Sequence, residues 1–146
     1  MLATIRISDT AFDPAAEMKL LPPDAGAVVS FVGRVREEHG LSSLRLEHYP
    51  GMTEREIRSH VDEAERRWGL LGVTVVHRVG TLKPGEPIVL VLVAAAHRRE
   101  AFAACEFLMD YLKTRAPFWK EESGGGKSRW VEAKTSDDSA AARWRR

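Results

Sequence analysis

The sequence predicts an α+β domain, and three observations carry that reading. Short runs rich in Val and Ile recur along the chain with strand-like alternation. Two longer stretches, from Thr53 to Trp68 and from about Arg98 to Thr114, have helical periodicity. One run, Ile88–Ala95, is apolar at every position and so needs cover on both faces. The elements follow in the order β-α-β-β-α-β-β-α-β, which suits a mixed sheet with helices packed on it.

Ala3–Ser8 sets Ile5 and Ile7 against Arg6 and Ser8, the alternation of a half-buried strand. Asp13-Pro14 starts a short helix, with a capping side chain followed by a proline at the first helical position. Leu21-Pro22-Pro23 ends it. Ala27–Val35 is a β-branched strand, separated by the turn-like Glu37-Glu38-His39-Gly40 from a second strand, Leu44–His48. Tyr49-Pro50-Gly51 closes that strand. Thr53 and Glu56 have the spacing of a capping box, and Ile57, Val61, Ala64 and Trp68 then form one apolar stripe up to Gly69. Val73, Val75, His77 and Val79 alternate as a strand, and Lys83-Pro84-Gly85-Glu86 is a turn. After the helix to Thr114, Ser123–Lys127 reads as a flexible loop and Arg129–Ala133 as a last short strand. Residues 1–134 form a single domain with no internal repeat or linker, and 135–146 read as a tail, a frayed helix or disordered.

Composition narrows the function. The chain has 146 residues, 44% hydrophobic and 29% charged, with a formal net charge of +1. That balance argues against a nucleic-acid binder, which needs a strongly basic face. The longest apolar run is too short to span a bilayer, and there is no charged stretch followed by an apolar one at the N-terminus. A cytoplasmic protein with no membrane and no nucleic-acid partner is expected. Cys105 is the single cysteine, so neither an intrachain disulfide nor a CxxC pair can form; set among Phe102, Phe107 and Leu108, it reads as a small buried hydrophobe.

No GxGxxG, phosphate-binding glycine loop, HExxH or Gly-x-Ser-x-Gly is present, so no metal and no cofactor is signalled. Gly124–Gly126 precedes no helix and reads as a hinge. What remains is a set of cations at element ends. Gly33-Arg34-Val35-Arg36 closes a strand, and His97-Arg98 stands where Ile88–Ala95 gives way to a helix, whose unpaired N–H groups favour an anion. Lys113 and Lys120 are seven residues apart, which on an unbroken helix would put both on one face. Pro117 prevents that continuity, since it lacks an N–H and disfavours helical angles at Ala116. The corner Ala116-Pro117-Phe118-Trp119 then sets the direction of the second lysine relative to the first. Each of these charges alone is an ordinary surface feature. Together they suggest a pocket for an anionic, phosphorylated small molecule. A lysine held among other cations can serve as general acid or base, or as a Schiff-base nucleophile, and the residues do not choose between these roles.

Six motifs extend the reading: Val32-Gly33-Arg34-Val35-Arg36; Leu46–Thr53, or LEHYPGMT; Val76-His77-Arg78-Val79-Gly80; Ala96-His97-Arg98; Met109–Lys120, with DYLKTRAPFWK; and Arg129-Trp130-Val131-Glu132-Ala133. In these motifs, over roughly residues 26–134, the chain resembles the large, catalytic subunit of molybdopterin synthase, the MoaE family. The resemblance implies an α/β hammerhead-type fold, with a mixed or antiparallel sheet, packed helices and a small additional β subdomain. It implies a homodimer within a heterotetramer, with a small ubiquitin-like subunit docked at each outer end. That partner inserts a C-terminal Gly-Gly tail carrying sulfur as a thiocarboxylate. Two sulfurs pass to cyclic pyranopterin monophosphate and make the dithiolene of molybdopterin. A sulfur supplied by a partner removes any need for an activated cysteine in this chain.

By motif, the resemblance implies that Lys113 and Lys120 are catalytic. Lys120 meets the thiocarboxylate, through a transient covalent link or by stabilising its charge, while Lys113 assists proton transfer or stabilises anionic intermediates. Arg34, Val35, Arg36, His97 and Arg98, with Lys113, Lys120, Glu121 and Glu122, make up the implied substrate-binding set, drawn in part from opposite sides of the dimer. Asp110 and Glu47 are read as structural partners of nearby cations, and Phe118 and Trp119 as packing for the corner. Glu121 departs from the basic residue expected there in some relatives, and the Gly124–Gly126 loop is richer in glycine. The competing reading is a non-catalytic module that binds ubiquitin-like tails or phosphorylated metabolites.

Overall fold

The computed structural model describes residues 1–37, 40–116, 118–124, 127–131 and 135–145, with backbone alone for Leu41, 127–131 and 135–138. Its elements are β1 (Leu2–Ser8), α1 (Pro14–Met18), β2 (Ala27–Arg34), β3 (Leu41–His48), α2 (Met52–Trp68), β4 (Gly72–Arg78), β5 (Gly80–Leu82), β6 (Pro87–Ala95), α3 (Arg98–Thr114), β7 (Phe118–Gly124), β8 (Lys127–Val131) and α4 (Thr135–Ala142).

The strands form two four-stranded sheets, in the orders β1-β4-β6-β2 and β5-β3-β7-β8. In the first, β1 is parallel to β4 and the other pairings are antiparallel; the second is antiparallel throughout. The mixed main sheet with a smaller β unit agrees with the sequence expectation. β6 is central and covered on both faces, as its unbroken apolar run requires. Val91 and Val93 join Val73 and Val75 beneath α2 and α3, packed with Ile57, Val61, Phe107 and Leu108. Leu90, Leu92 and Ala94 turn the other way, onto Leu21 with Phe12 and Leu71. Leu44, Leu46 and Leu82 carry the second sheet into the larger core. Each fully buried Leu or Val here contributes about 1.5–3 kcal/mol relative to exposure.

Two backbone positions set the geometry around the strand ends. Gly80 joins β4 to β5, and hence one sheet to the other, at φ +91, a conformation that side chains with a Cβ rarely adopt. Gly33 lies so close to β6 that a Cβ would come within 2.7 Å of Val89 Cγ1. The pairing register slips between Gly33 and Arg34, and such an irregularity re-aims the side chain that follows.

Several sequence expectations need correcting. Thr53 is not the cap of α2. The helix begins two residues earlier than a Thr53 cap would allow, with Gly51 as N-cap at φ +86 and Glu54 accepting from its N–H at 3.3 Å. The Thr53 hydroxyl instead turns back to accept from the Tyr49 N–H at 3.0 Å, inside the core. Ser123–Lys127 is not loop throughout: Ser123 and Gly124 end β7, which pairs with β3 on one side and β8 on the other, and Lys127 begins β8. The last strand lies at Lys127–Val131 rather than Arg129–Ala133, and Glu132 and Ala133 fall outside the described residues, as do Pro117, Gly125 and Gly126.

The C-terminal segment contains α4, which packs on α3. Trp144 sets its ring edge-on to Trp68 and Phe107, and its indole N–H donates to Asp110 Oδ2 at 2.6 Å. Arg143 pairs with Glu106 and Asp110, so the basic end of the chain is docked through these residues rather than solvated.

Candidate active site

The two lysines arrive from different elements. Lys113 stands in the last turn of α3, where a cation is favoured by the helix dipole. Lys120 is on β7 opposite Leu46 of β3, half-buried. Strand alternation puts Phe118, Lys120 and Glu122 on one face of β7, and Trp119 and Glu121 on the other. Pro117, between helix and strand, lies outside the described residues. A seven-residue helical spacing is therefore not what relates the lysines; a helix end and a strand do.

Both lysines bear electrostatically on His77, the penultimate residue of β4. Its ring is buried, stacks on Phe118 with centroids 3.8 Å apart and planes 20° from parallel, and donates from Nδ1 to the Arg78 carbonyl at 2.8 Å. That bond leaves Nε2 as the acceptor nitrogen of a neutral imidazole. Burial pushes its pKa down to about 4, and the positive charges of Lys120, Lys113 and His48 push the same way against the pull of the Arg78 carbonyl. His48 itself faces Glu54 at 3.9 Å. Sequence reasoning left His77 as a strand residue; the available signal was a histidine in phase with Val73 and Val75 on a core-facing side.

The other predicted residues divide into two groups. Arg34, Val35 and Arg36 leave β2 at the end where Gly33 pairs with Val89, and Val89 is also the partner of His77 on β4. They are thus level with the lysine corner, with β6 between β2 and β4, about 10 Å across the sheet. Arg34 and Arg36 are exposed, while Val35 is buried, its backbone bonded to Gly85 and Glu86. Val35 anchors the segment in the core. His97 and Arg98 are exposed at the other end, His97 as the N-cap of α3 without a side-chain capping bond. From His97 to Lys113 is sixteen residues of helix, about 24 Å. One chain does not bring these two groups together.

Glu121 is also set apart, facing away from Lys120 and pairing with Arg45 at 3.5 Å across the β3–β7 ladder. Glu122 shares the Lys120 face. Trp119 is exposed and edge-on to Tyr49, so it does not pack the corner as Phe118 does. Asp110 holds Arg143 and Trp144, and Glu47 lies 3.7 Å from Arg45, so both serve structural cations. Cys105 is buried in the core and its thiol is pushed up to about 11, by burial first and by Glu106 second. Among the described residues no group of three His, Cys, Asp or Glu is placed to hold a metal ion, and no helix is long and apolar enough to cross a membrane.

The fold and this corner define an α+β domain with two lysines near a buried neutral histidine and exposed cations at strand and helix ends. Comparison with known proteins shows the family. The family described as MoaE protein matches residues 7–115. The chain is 56% identical to the molybdopterin synthase catalytic subunit of Mesorhizobium japonicum, covering 97% of this chain and 93% of that one. It is 52% identical to the subunit of the same name from Ralstonia nicotianae, covering 98% and 85%. The solved structure of the molybdopterin biosynthesis MoaE protein from Burkholderia ambifaria superimposes with a TM-score of 0.86, at 51% identity and 98% coverage of both chains. The chain belongs to the MoaE family.

Proposed function

We propose that this chain is the catalytic subunit of a molybdopterin synthase, acting in the cytoplasm. In this reading a small ubiquitin-like partner inserts its C-terminal Gly-Gly thiocarboxylate beside Lys120, and its sulfur passes to cyclic pyranopterin monophosphate. Two such transfers, each from a fresh thiocarboxylate, build the dithiolene. The observation that carries this is that, in a chain of the MoaE family, α3 ends at Lys113 and β7 brings Lys120 in two residues after Phe118, which stacks on His77. Lys120, half-buried, takes the carbonyl end of the tail, by charge or by a transient covalent link. Lys113, exposed at the helix end, moves protons or holds anionic intermediates. Arg34 and Arg36 follow Gly33, which is level with His77 across β6, and Glu122 shares the Lys120 face of β7.

His97 and Arg98 belong to this site only if a second copy supplies them, because about 24 Å of α3 separates them from Lys113 in one chain. The edge strand β2 and the α3 helix packed on it expose Val28, Phe31, Val32 and Phe102, an apolar surface for that second copy. The phosphate of the pterin is then held from across the dimer.

Reconstitution with thiocarboxylated partner and cyclic pyranopterin monophosphate tests the reading. Wild type is expected to form the dithiolene product, and folded Lys113→Ala and Lys120→Ala to lose about 10²-fold or more. Full activity in both variants overturns the assignment, and tail binding without product points to a binding module. Mixing Lys120→Ala with His97→Ala protomers tests the shared site. Activity recovered toward one quarter of wild type or more, from dimers with one intact site, supports it; no recovery above the two parents overturns it.

A further inference from the structure

The proposed chemistry assigns no role to the most enclosed group in the lysine corner. His77 belongs to the first sheet and Phe118 to the second, so their stack is a joint between the two sheets. Phe118 precedes Lys120 by two residues on the same face of β7, and His48 is its partner on β3. On its own sheet His77 is flanked by Ile7 of β1 and Val89 of β6, which offer no polar alternative. The charged and titratable groups facing it are Lys120 from β7, Lys113 from α3 and His48 from β3, the last balanced by Glu54 of α2. The Nδ1–H bond to the Arg78 carbonyl fixes the rotation of the ring.

We propose that His77 is a positioning residue for the sulfur-transfer site: its buried ring, anchored to the Arg78 carbonyl and stacked on Phe118, sets where Lys120 stands relative to Lys113. This rests on the two-lysine reading above. A flat ring transmits position through the stack, and a neutral one does so without adding a third positive charge beside the two lysines. A histidine meets both needs here, because the carbonyl bond and burial hold it in one tautomer.

The test uses the complete synthase with thiocarboxylated partner and cyclic pyranopterin monophosphate, measuring kcat and KM. His77→Ala and Phe118→Leu are each expected to lower kcat about 100-fold, the cost of misplacing a reacting group by about 1 Å, with KM little changed. His77→Phe, which keeps the stack but loses the carbonyl anchor, is expected to fall between wild type and alanine, about tenfold down in kcat, and His77→Asn, which keeps only the carbonyl bond, to behave like alanine. If both act through one contact, His77→Ala/Phe118→Leu loses no more than either single variant. Wild-type kcat in Phe118→Leu, or losses that multiply in the double variant, overturns the proposal. Should His77→Ala not fold, Phe118→Leu against His77→Phe reads the same contact. Lys120→Ala in the same assay separates the two readings: if it is fully active the site assignment falls, and if it is dead while Phe118→Leu is active only the positioning role falls.

Discussion

Trp144 donates its indole N–H to Asp110 at 2.6 Å, one helical turn before Lys113, and so ties the end of the chain to the helix that presents this lysine. The same tryptophan closes an aromatic group with Trp68 and Phe107, and Arg67 donates to its carbonyl at 2.9 Å. Trp144→Ala removes packing and strands the Asp110 carboxylate beside Arg143 alone. A loss of about 2–3 kcal/mol is expected, seen as a drop of about 5–10 °C in Tm by calorimetry. An unchanged Tm would mean that the C-terminal segment does not dock in solution.

Stability is expected to fall in acid because of His77. Its folded pKa of about 4 lies below the ordinary 6.5, so between these values the unfolded chain binds a proton that the native one does not. The contribution is complete above about pH 6.5 and is lost as pH falls toward 4, about 3 kcal/mol in all. His60, lowered chiefly by burial, adds to the same trend. Urea denaturation at pH 7, 5.5 and 4.5 should show a clearly shallower decline in His77→Phe than in wild type. Equal slopes would place the ring in water.

Cys105 is expected to be a spectator. A buried thiol with a pKa of about 11 is almost wholly protonated at pH 8 and shielded from reagents. It should react with a disulfide reagent only when the protein is unfolded. Cys105→Ala should keep sulfur transfer within about twofold, at a small cost in packing. A dead, folded Cys105→Ala variant would mean that sulfur passes through this chain after all.

Lys120→Arg is expected to lose at least about 100-fold in turnover despite keeping the charge. A guanidinium does not give up its proton, so it cannot form the amine link to the tail, and its planar fork does not place its charge where the ammonium stood. Recovery of most of the activity by arginine would assign Lys120 a purely electrostatic task.

Much of the proposed site is legible in the sequence because its residue types are unusual for their places. Charges at strand and helix ends marked Arg34, Arg36, His97 and Arg98, and the proline between two lysines marked Lys113 and Lys120. His77 escaped because a histidine in a valine alternation looks like any core-facing strand residue. Its stack on Phe118, across the sheet boundary, exists only in the folded structure. β7 escaped for a related reason: Lys120-Glu121-Glu122-Ser123-Gly124 has poor strand propensity, and its conformation comes from pairing with β3 and β8.

The amino-acid sequence alone determined the elements with strong local signals. The apolar run of β6, the stripe of α2 and the full length of α3 depend on periodicity, which is a property of neighbours in the chain. The tertiary structure alone decided that Lys113 and Lys120 both bear on one buried neutral histidine, that Glu121 faces away from Lys120, and that His97 and Arg98 stand about 24 Å off along α3. These depend on strand register, on which sheet covers which, and on the rigid length of a helix. Such relations join residues far apart in sequence, and local patterns do not encode them.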